Sequence, residues 1–270
     1  MARRTIPEYQ SELNMIQVIL PAYNEEEALP CLLSRLADVR AQHGLDLRAL
    51  VVDDGSQDRT AAVVQEASAS QPWIRLVPHA RNMGLSQGLR TGFRTALAES
   101  RSPDDVIITI DADNTQPPEL IPAMVEAING GKDVVIASRF QPGAEVHGVP
   151  ASRRLFSFGM SVLFRTVFPI RGVRDFSCGF RAYRAGTLQR AHDHYGEDFI
   201  TEQGFACMVE VLFQLDHLGG VRFGEVPMVL HYDYKPTETK MNVGKTIRDT
   251  LGVAYRMRIA QPRGARRQAG

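Results

Sequence analysis

Five short apolar runs rich in β-branched residues recur through the first half of the chain, at residues 15–20, 49–52, 74–77, 106–110 and 134–137. Runs of that length and character read as strands buried on both faces. Between them, residues 29–40, 60–69, 86–98 and 118–128 carry apolar residues at helical spacing. Strand–helix alternation at this pitch confines the chain to the α/β class, a mostly parallel sheet with helices on both faces. Asp58 and Ser86 are placed as N-caps, and Pro117-Pro118 suits the first turn of a helix.

The pattern changes after Ser138. A basic amphipathic helix is expected over 153–167, a strand-like piece over 180–183, and a long helix over 202–218. One or two strands interrupted at Pro227 follow over 221–232, then a final helix over 243–257. No second domain is expected. Residues 1–14 form an arm, 15–258 one domain, and 259–270 a basic tail, with the second half completing a site begun in the first. A chain of 270 residues can bury one large core.

Lysine plus arginine and aspartate plus glutamate balance at 31 each, so no global field points to nucleic acid. Arginines nevertheless dominate from Arg153 to Arg190 and again from Lys245 onward, two regions suited to phosphates or an anionic membrane surface. Cys31, Cys178 and Cys207 have neither metal spacing nor a disulfide pattern, which makes a reducing cytoplasm the expected location. Arg3 and Arg4 precede no apolar core of a signal peptide. The longest apolar stretch, 155–170, is broken by Arg165 and Pro169. It reads as an amphipathic helix that packs in the core or lies at a membrane interface, not as a span.

The chemistry is carried by motifs at the strand ends. Asp111-Ala112-Asp113 follows the run 106–110 directly, placing two carboxylates where open α/β sheets bind ligands. Two hard oxygen donors on a short turn suit Mg2+ or Mn2+ shared with a diphosphate, and so an enzyme that breaks a sugar–diphosphate or phosphoanhydride bond. Pro21-Ala22-Tyr23-Asn24-Glu25 ends the first strand with a ring that can stack on a base and a carboxylate that can accept from base or ribose. Val52-Asp53-Asp54-Gly55 ends the second; its adjacent acids repel unless they serve a ligand or face apart. Arg81–Gly88 lacks the Walker spacing and lysine, and a structural role with one polar contact is expected for it.

In this order and spacing, these pieces resemble family 2 glycosyltransferases of the GT-A (Rossmann-like) fold. Ala137-Ser138-Arg139-Phe140, Arg153-Arg154-Leu155, the block from Val173 to Arg184 and Gly224-Glu225-Val226-Pro227 resemble the polyprenyl-phosphate hexose synthases, dolichol-phosphate mannose synthases among them. The resemblance implies that Pro21, Tyr23, Glu25, Val52, Asp53 and Asp54 hold the nucleotide, and that Asp111, Ala112 and Asp113 meet the metal and diphosphate. It implies that Arg139 serves the diphosphate or acceptor phosphate, that Arg153 and Ser157 belong to an acceptor-phosphate patch, and that Lys240 closes over the site. Asp113, Arg139 and Lys240 are the residues it points to for catalysis. Thr115, Tyr234 and the string Thr-Glu-Thr-Lys at 237–240 depart from the family pattern.

The implied activity is inverting transfer of a hexose, mannose from GDP-mannose first, to a polyprenyl monophosphate, with Mg2+ or Mn2+. The protein is expected to sit peripherally at the cytoplasmic face of a membrane or on a membrane-spanning partner. A phosphate acceptor is largely dianionic at neutral pH and needs no general base. A hydroxyl acceptor needs one. In Thr201-Glu202-Gln203 the candidate is Glu202, and the alternative is that Thr201 caps a helix with Glu202 in its first turn. A soluble hydroxyl-acceptor transferase and a non-catalytic nucleotide-binding module are the competing readings.

Overall fold

A computed structural model describes residues 14–149 and 151–231, together with Gly252, Tyr255 and Arg256. The five apolar runs form β1 (Ile16–Ala22), β2 (Leu47–Asp53), β3 (Ile74–Pro78), β4 (Val106–Thr109) and β5 (Val134–Ser138). The helices between them are α1 (Leu29–His43), α2 (Thr60–Ser70), α3 (Leu85–Glu99) and α4 (Ile121–Asn129), the last preceded by a 3-10 turn at Pro118–Leu120. The second half adds β6 (Glu145–His147), α5 (Ala151–Val167), β7 (Arg181–Arg184), α6 (Ala185–Tyr195), a 3-10 turn at Gly196–Phe199, α7 (Ala206–Leu218), β8 (Phe223–Pro227) and β9 (Val229–His231).

Seven strands make the main sheet in the order β3-β2-β1-β4-β7-β5-β8, and β6 pairs with β9 separately. Every pairing in the main sheet is parallel except those of β7, which runs antiparallel between β4 and β5. Val18, Ile19, Leu20, Val51, Val52, Ile107, Ile108, Val135 and Ile136 are buried to within a few per cent. That is why these strands read as unbroken apolar runs rather than alternating ones. α1 packs on α2 and α4, whereas α3 packs on α6, so the sheet is sandwiched by helices.

The topology fixes where a ligand binds. From β1 the chain crosses to β2 on one side, while β4 pairs with β1 on the other. The carboxyl ends of β1 and β4 therefore flank a topological switch point, the usual ligand crevice of an open α/β sheet.

Two expectations shift. α7 begins at Ala206, not at residue 202, so Thr201 is not its cap; its hydroxyl instead donates to Glu210 Oε1 at 2.5 Å. Ser86 lies inside α3 and donates to the Glu202 carbonyl at 2.5 Å. Asp58 does serve the start of α2, accepting the Thr60 N–H at 2.9 Å. The arm before residue 14, the expected helix over 243–257, Lys240 and the tail lie outside the described residues, apart from isolated positions near residue 255.

Candidate active site

The turns after β1 and β2 are laced together. Asn24 N–H donates to Ser56 Oγ at 2.9 Å, Glu25 N–H to Thr60 Oγ1 at 2.9 Å and Glu26 N–H to Asp58 Oδ2 at 3.2 Å. In return, Gln57 N–H donates to Asn24 Oδ1 and Arg59 N–H to Glu26 Oε2, both at 2.9 Å. Asn24 adopts a left-handed φ of 54°, which an asparagine tolerates better than most side chains. These bonds set the half-buried Tyr23 and Glu25 beside the end of β2. Burial pushes the Asp58 carboxyl up, but its hydrogen bonds from Thr60 and the Glu26 N–H outweigh this and hold it below the ordinary range.

Asp53 and Asp54 face apart, which resolves their repulsion. Asp53 Oδ1 accepts the Ser56 N–H at 3.1 Å. Asp54 accepts from Met83 N at 2.9 Å and Gly84 N at 2.7 Å, and its Oδ1 lies 2.7 Å from His79 Nδ1. His79 Nε2 in turn contacts Thr91 Oγ1 at 2.9 Å. Asp54 thus holds the Arg81–Gly84 loop by two backbone N–H groups, more than the one polar contact expected of that loop. Gly55 completes the junction: at φ +69° a Cβ would sit 2.3 Å from the Arg81 carbonyl carbon, so only glycine lets the loop cross there.

After β4, Asp111 and Asp113 are half-buried on either side of buried Ala112. Gln116 grips Asp111 twice, accepting its N–H at 3.0 Å and donating Nε2–H to Oδ2 at 2.8 Å. Thr115 donates its hydroxyl to Asp113 Oδ1 at 2.7 Å. The turn passes through Asn114 at φ 57°, and Asn114 is pinned by Arg35 of α1, whose Nη1 reaches Asn114 Oδ1 at 2.7 Å. Arg35 also pairs with Glu119.

β7 closes the other side. Thr109 Oγ1 donates to the Gly179 carbonyl at 2.6 Å, and a Cβ on Gly179 would lie 3.1 Å from Asp111 Oδ1. The segment before β7 therefore forms a wall against Asp111. Arg139, just past β5, pairs with buried Asp175 of that segment at 2.7 Å, and the charge of Asp111 acts on the same guanidinium. Burial alone would lower the Arg139 pKa; the carboxylates of Asp175 and Asp111 reverse this and raise it.

Two hard carboxylates braced on one turn, Asp111 by Gln116 and Asp113 by Thr115, have the donor chemistry to share a divalent cation with a diphosphate. The structure thus places Pro21, Tyr23, Glu25, Val52, Asp53, Asp54, Asp111, Ala112 and Asp113 at the carboxyl ends of β1, β2 and β4, and Arg139 at that of β5, across the intervening β7. Ser157 lies on α5, half-buried; Arg153 lies on the same helix, its side chain outside the described residues, as is Lys240.

A family model described as glycosyl transferase family 2 matches residues 17–190. The chain belongs to glycosyltransferase family 2. It is 34% identical to a dolichol-phosphate mannosyltransferase of Pyrococcus furiosus, over 90% of this chain and 63% of that protein. It is also 34% identical to an undecaprenyl-phosphate mannosyltransferase of Micrococcus luteus, over 85% of this chain and 88% of that protein. Thus the chain spans less than two thirds of the length of the first relative and most of the second. Among solved structures it resembles glucosyl-3-phosphoglycerate synthase from Mycobacterium tuberculosis, in complex with Mn2+ and UDP-glucose, with a TM-score of 0.64, 18% identity, 93% of this chain covered and 81% of that one. At that identity the likeness speaks to the GT-A fold alone.

Residues that the sequence did not single out brace ones that it did: Gln116 holds Asp111, His79 holds Asp54 and Asp175 holds Arg139, while Arg35 pins the turn at Asn114. Glu210 of α7, only 3% exposed, accepts from the Thr201 and Glu202 N–H groups at 2.9 and 2.8 Å and so orders the Thr201–Glu202 turn. Burial raises the Glu210 carboxyl, and the bonds from Thr201 and Glu202 only partly offset this. Glu202 itself pairs with Arg256.

Proposed function

We propose that this glycosyltransferase moves a hexose, mannose from GDP-mannose in the first instance, onto a polyprenyl monophosphate with inversion at the anomeric carbon. The relatives named for dolichol- and undecaprenyl-phosphate mannosyl transfer support the reaction class. Tyr23, Glu25 and Asp53 line the nucleotide end, and the Asp54-held loop shapes its rim. Asp111 and Asp113 would hold Mg2+ or Mn2+, which neutralises charge on the leaving diphosphate when bound. Arg139, with Arg153, Ser157 and Lys240, orients the acceptor phosphate. A phosphate dianion attacks without a base, in keeping with Gln203 beside Glu202 and with Glu202 paired to Arg256.

The observation that carries the lipid reading is α5. It turns Phe164 into the core, where it stacks on Phe176, and Phe168 just past its end meets Phe213 edge-on. On its other side Phe158, Val162, Leu163 and Val167 are 37–55% exposed, with Arg165 among them. A helix apolar on both sides, with basic residues along it, suits a membrane surface at which the lipid tail of the acceptor resides. No helix among the described residues is long and apolar enough to cross a membrane; the attachment proposed is peripheral, at the cytoplasmic face, or through a spanning partner.

The test is transfer from a panel of labelled nucleotide-sugars, with Mg2+ or Mn2+, to polyprenyl phosphate in vesicles, to a short-chain soluble polyprenyl phosphate, or to hydroxyl acceptors. Organic-extractable product is expected, greatest with GDP-mannose. Replacing Phe158 and Leu163 by serine should slow turnover on vesicles and spare the short-chain acceptor. Product only with hydroxyl acceptors would sink the lipid reading and return Glu202 to the role of base.

A further inference from the structure

Arg139 is held unusually firmly for a residue meant to meet a substrate. Its backbone N–H and Nε–H both donate to Asp175 Oδ2, at 3.1 and 2.8 Å. Its Nη2 donates to Asp175 Oδ1 and to Ser177 Oγ, each at 2.7 Å. Nη1 makes no hydrogen bond among the described residues, and the guanidinium keeps 22% of its side-chain surface exposed. The grip thus spends Nε and both hydrogens of Nη2 and leaves the two of Nη1, on a residue that feels the charge of Asp111.

Asp175 is wholly buried. A buried carboxylate is costly unless its oxygens are satisfied. Here the Ser177 and Cys178 N–H groups, at 3.3 and 3.1 Å, add to the three donors of Arg139. A further layer fixes Asp175 itself. Glu225 of β8 accepts the backbone N–H groups of Arg174 and Asp175 on Oε1, at 2.5 and 2.8 Å. Arg174 Nη1 then donates to Gln141 Oε1 at 2.6 Å, tying the same turn back to the chain just past Arg139.

We propose that Asp175 is a positioning residue for sugar transfer: it locks the Arg139 guanidinium with its Nη1 edge toward the diphosphate and acceptor phosphate, and Glu225 locks Asp175. The inference rests on the reading of Arg139 as phosphate-facing. An arginine free to rotate carries rotamer entropy that binding must otherwise remove, and a misplacement of about 1 Å near the reacting groups costs roughly 10²-fold in rate. A buried acid that freezes the fork before substrate arrives avoids both.

A double-mutant cycle separates positioning from a structural ion pair. Asp175→Asn, Arg139→Ala and the double variant are compared by kcat, by donor and acceptor KM, by affinity for GDP with Mg2+ in calorimetry, and by Tm. Asp175→Asn should lower kcat about 10²-fold and weaken GDP about tenfold, and the double variant should match Arg139→Ala within about threefold, because a brace has nothing left to act through. Losses that multiply in the double variant, or an Asp175→Asn protein within threefold of wild type in both readouts, would overturn the proposal. If Asp175→Asn fails to fold, Arg139→Lys reads the same claim, since a lysine keeps the charge but cannot be gripped along one edge. Its recovery to near wild-type turnover would also overturn it. Wild-type protein that makes no lipid product while the GDP cycle still shows the brace would count against the lipid acceptor and leave the positioning role standing.

Discussion

Two pairs of acids lie at the carboxyl ends of the two apolar strands that flank β1 in this protein, and they have opposite fates. Asp53 and Asp54 are adjacent in sequence, 4% and 5% exposed, and turned inward to Ser56 N on one side and to His79, Met83 N and Gly84 N on the other. Asp111 and Asp113 are separated by one residue, half-buried, and braced by Gln116 and Thr115. Asp53 and Asp54 point to opposite sides, as adjacent side chains on extended chain do, whereas Asp111 and Asp113 lie on a turn past the end of β4. Asp54 is spent on holding the Arg81–Gly84 loop and Asp53 faces the other way, whereas Asp111 and Asp113 are the pair proposed to converge on one ion. On that proposal, acids at a strand's carboxyl end serve a metal only when their geometry lets them share a ligand.

The sharpest way to break this comparison is Asp113→Asn. If the second pair holds the metal and diphosphate, transfer should fall at least about 10³-fold, with stability within about 0.5 kcal/mol of wild type, as suits a half-buried side chain. Retained turnover would erase the distinction. Asp54→Ala should show the reverse pattern. It strips partners from His79 and two backbone N–H groups, and should cost about 2–4 kcal/mol in urea unfolding before any kinetic effect is considered. Gln116→Ala tests whether Asp111 needs its brace; a roughly tenfold rise in the Mg2+ concentration for half-maximal rate is expected, and an unchanged metal titration would make the brace incidental.

The smallest effect concerns acid stability. Burial pushes the Asp175 carboxyl up, and the Arg139 charge and hydrogen bonds more than reverse this, leaving it below its unfolded value of about 3.9. Its contribution is therefore full above about pH 4 and lost as pH falls through the folded value. Asp175→Asn should flatten the acid limb of stability measured by urea midpoints between about pH 6 and pH 2. An unchanged slope would mean that Asp175 is not charged in the folded protein.

Much of the donor side was legible. β1 to β5 and α1 to α4 fall within a few residues of the expected spans, because a doubly buried parallel strand and an amphipathic helix each impose a period that the chain itself displays. Tyr23, Asp54, Asp111 and Asp113 were visible because they end those strands. The rest was hidden for separate reasons. β6 has three residues and little pattern of its own, and α6 buries Ala185, Leu188 and Ala191 under a mostly polar sequence. Gln116 and Arg35 look like ordinary turn and helix-surface residues until the turn that they brace exists. Glu210 sits on a helix, where an acid normally reads as solvated.

What the sequence determined by itself was the α/β alternation, and hence that acids ending the strands would gather along one edge of a parallel sheet. That information is local: it lies in runs of a few residues and in the chemistry of their ends. Only the tertiary structure decided that β7 would insert antiparallel between β4 and β5. That places Gly179 against Asp111 and carries Asp175 across 36 residues to Arg139. No periodicity encodes such a choice, because it depends on which strand edge is left open once the parallel strands have paired, and on which buried acid can find a cation to satisfy it.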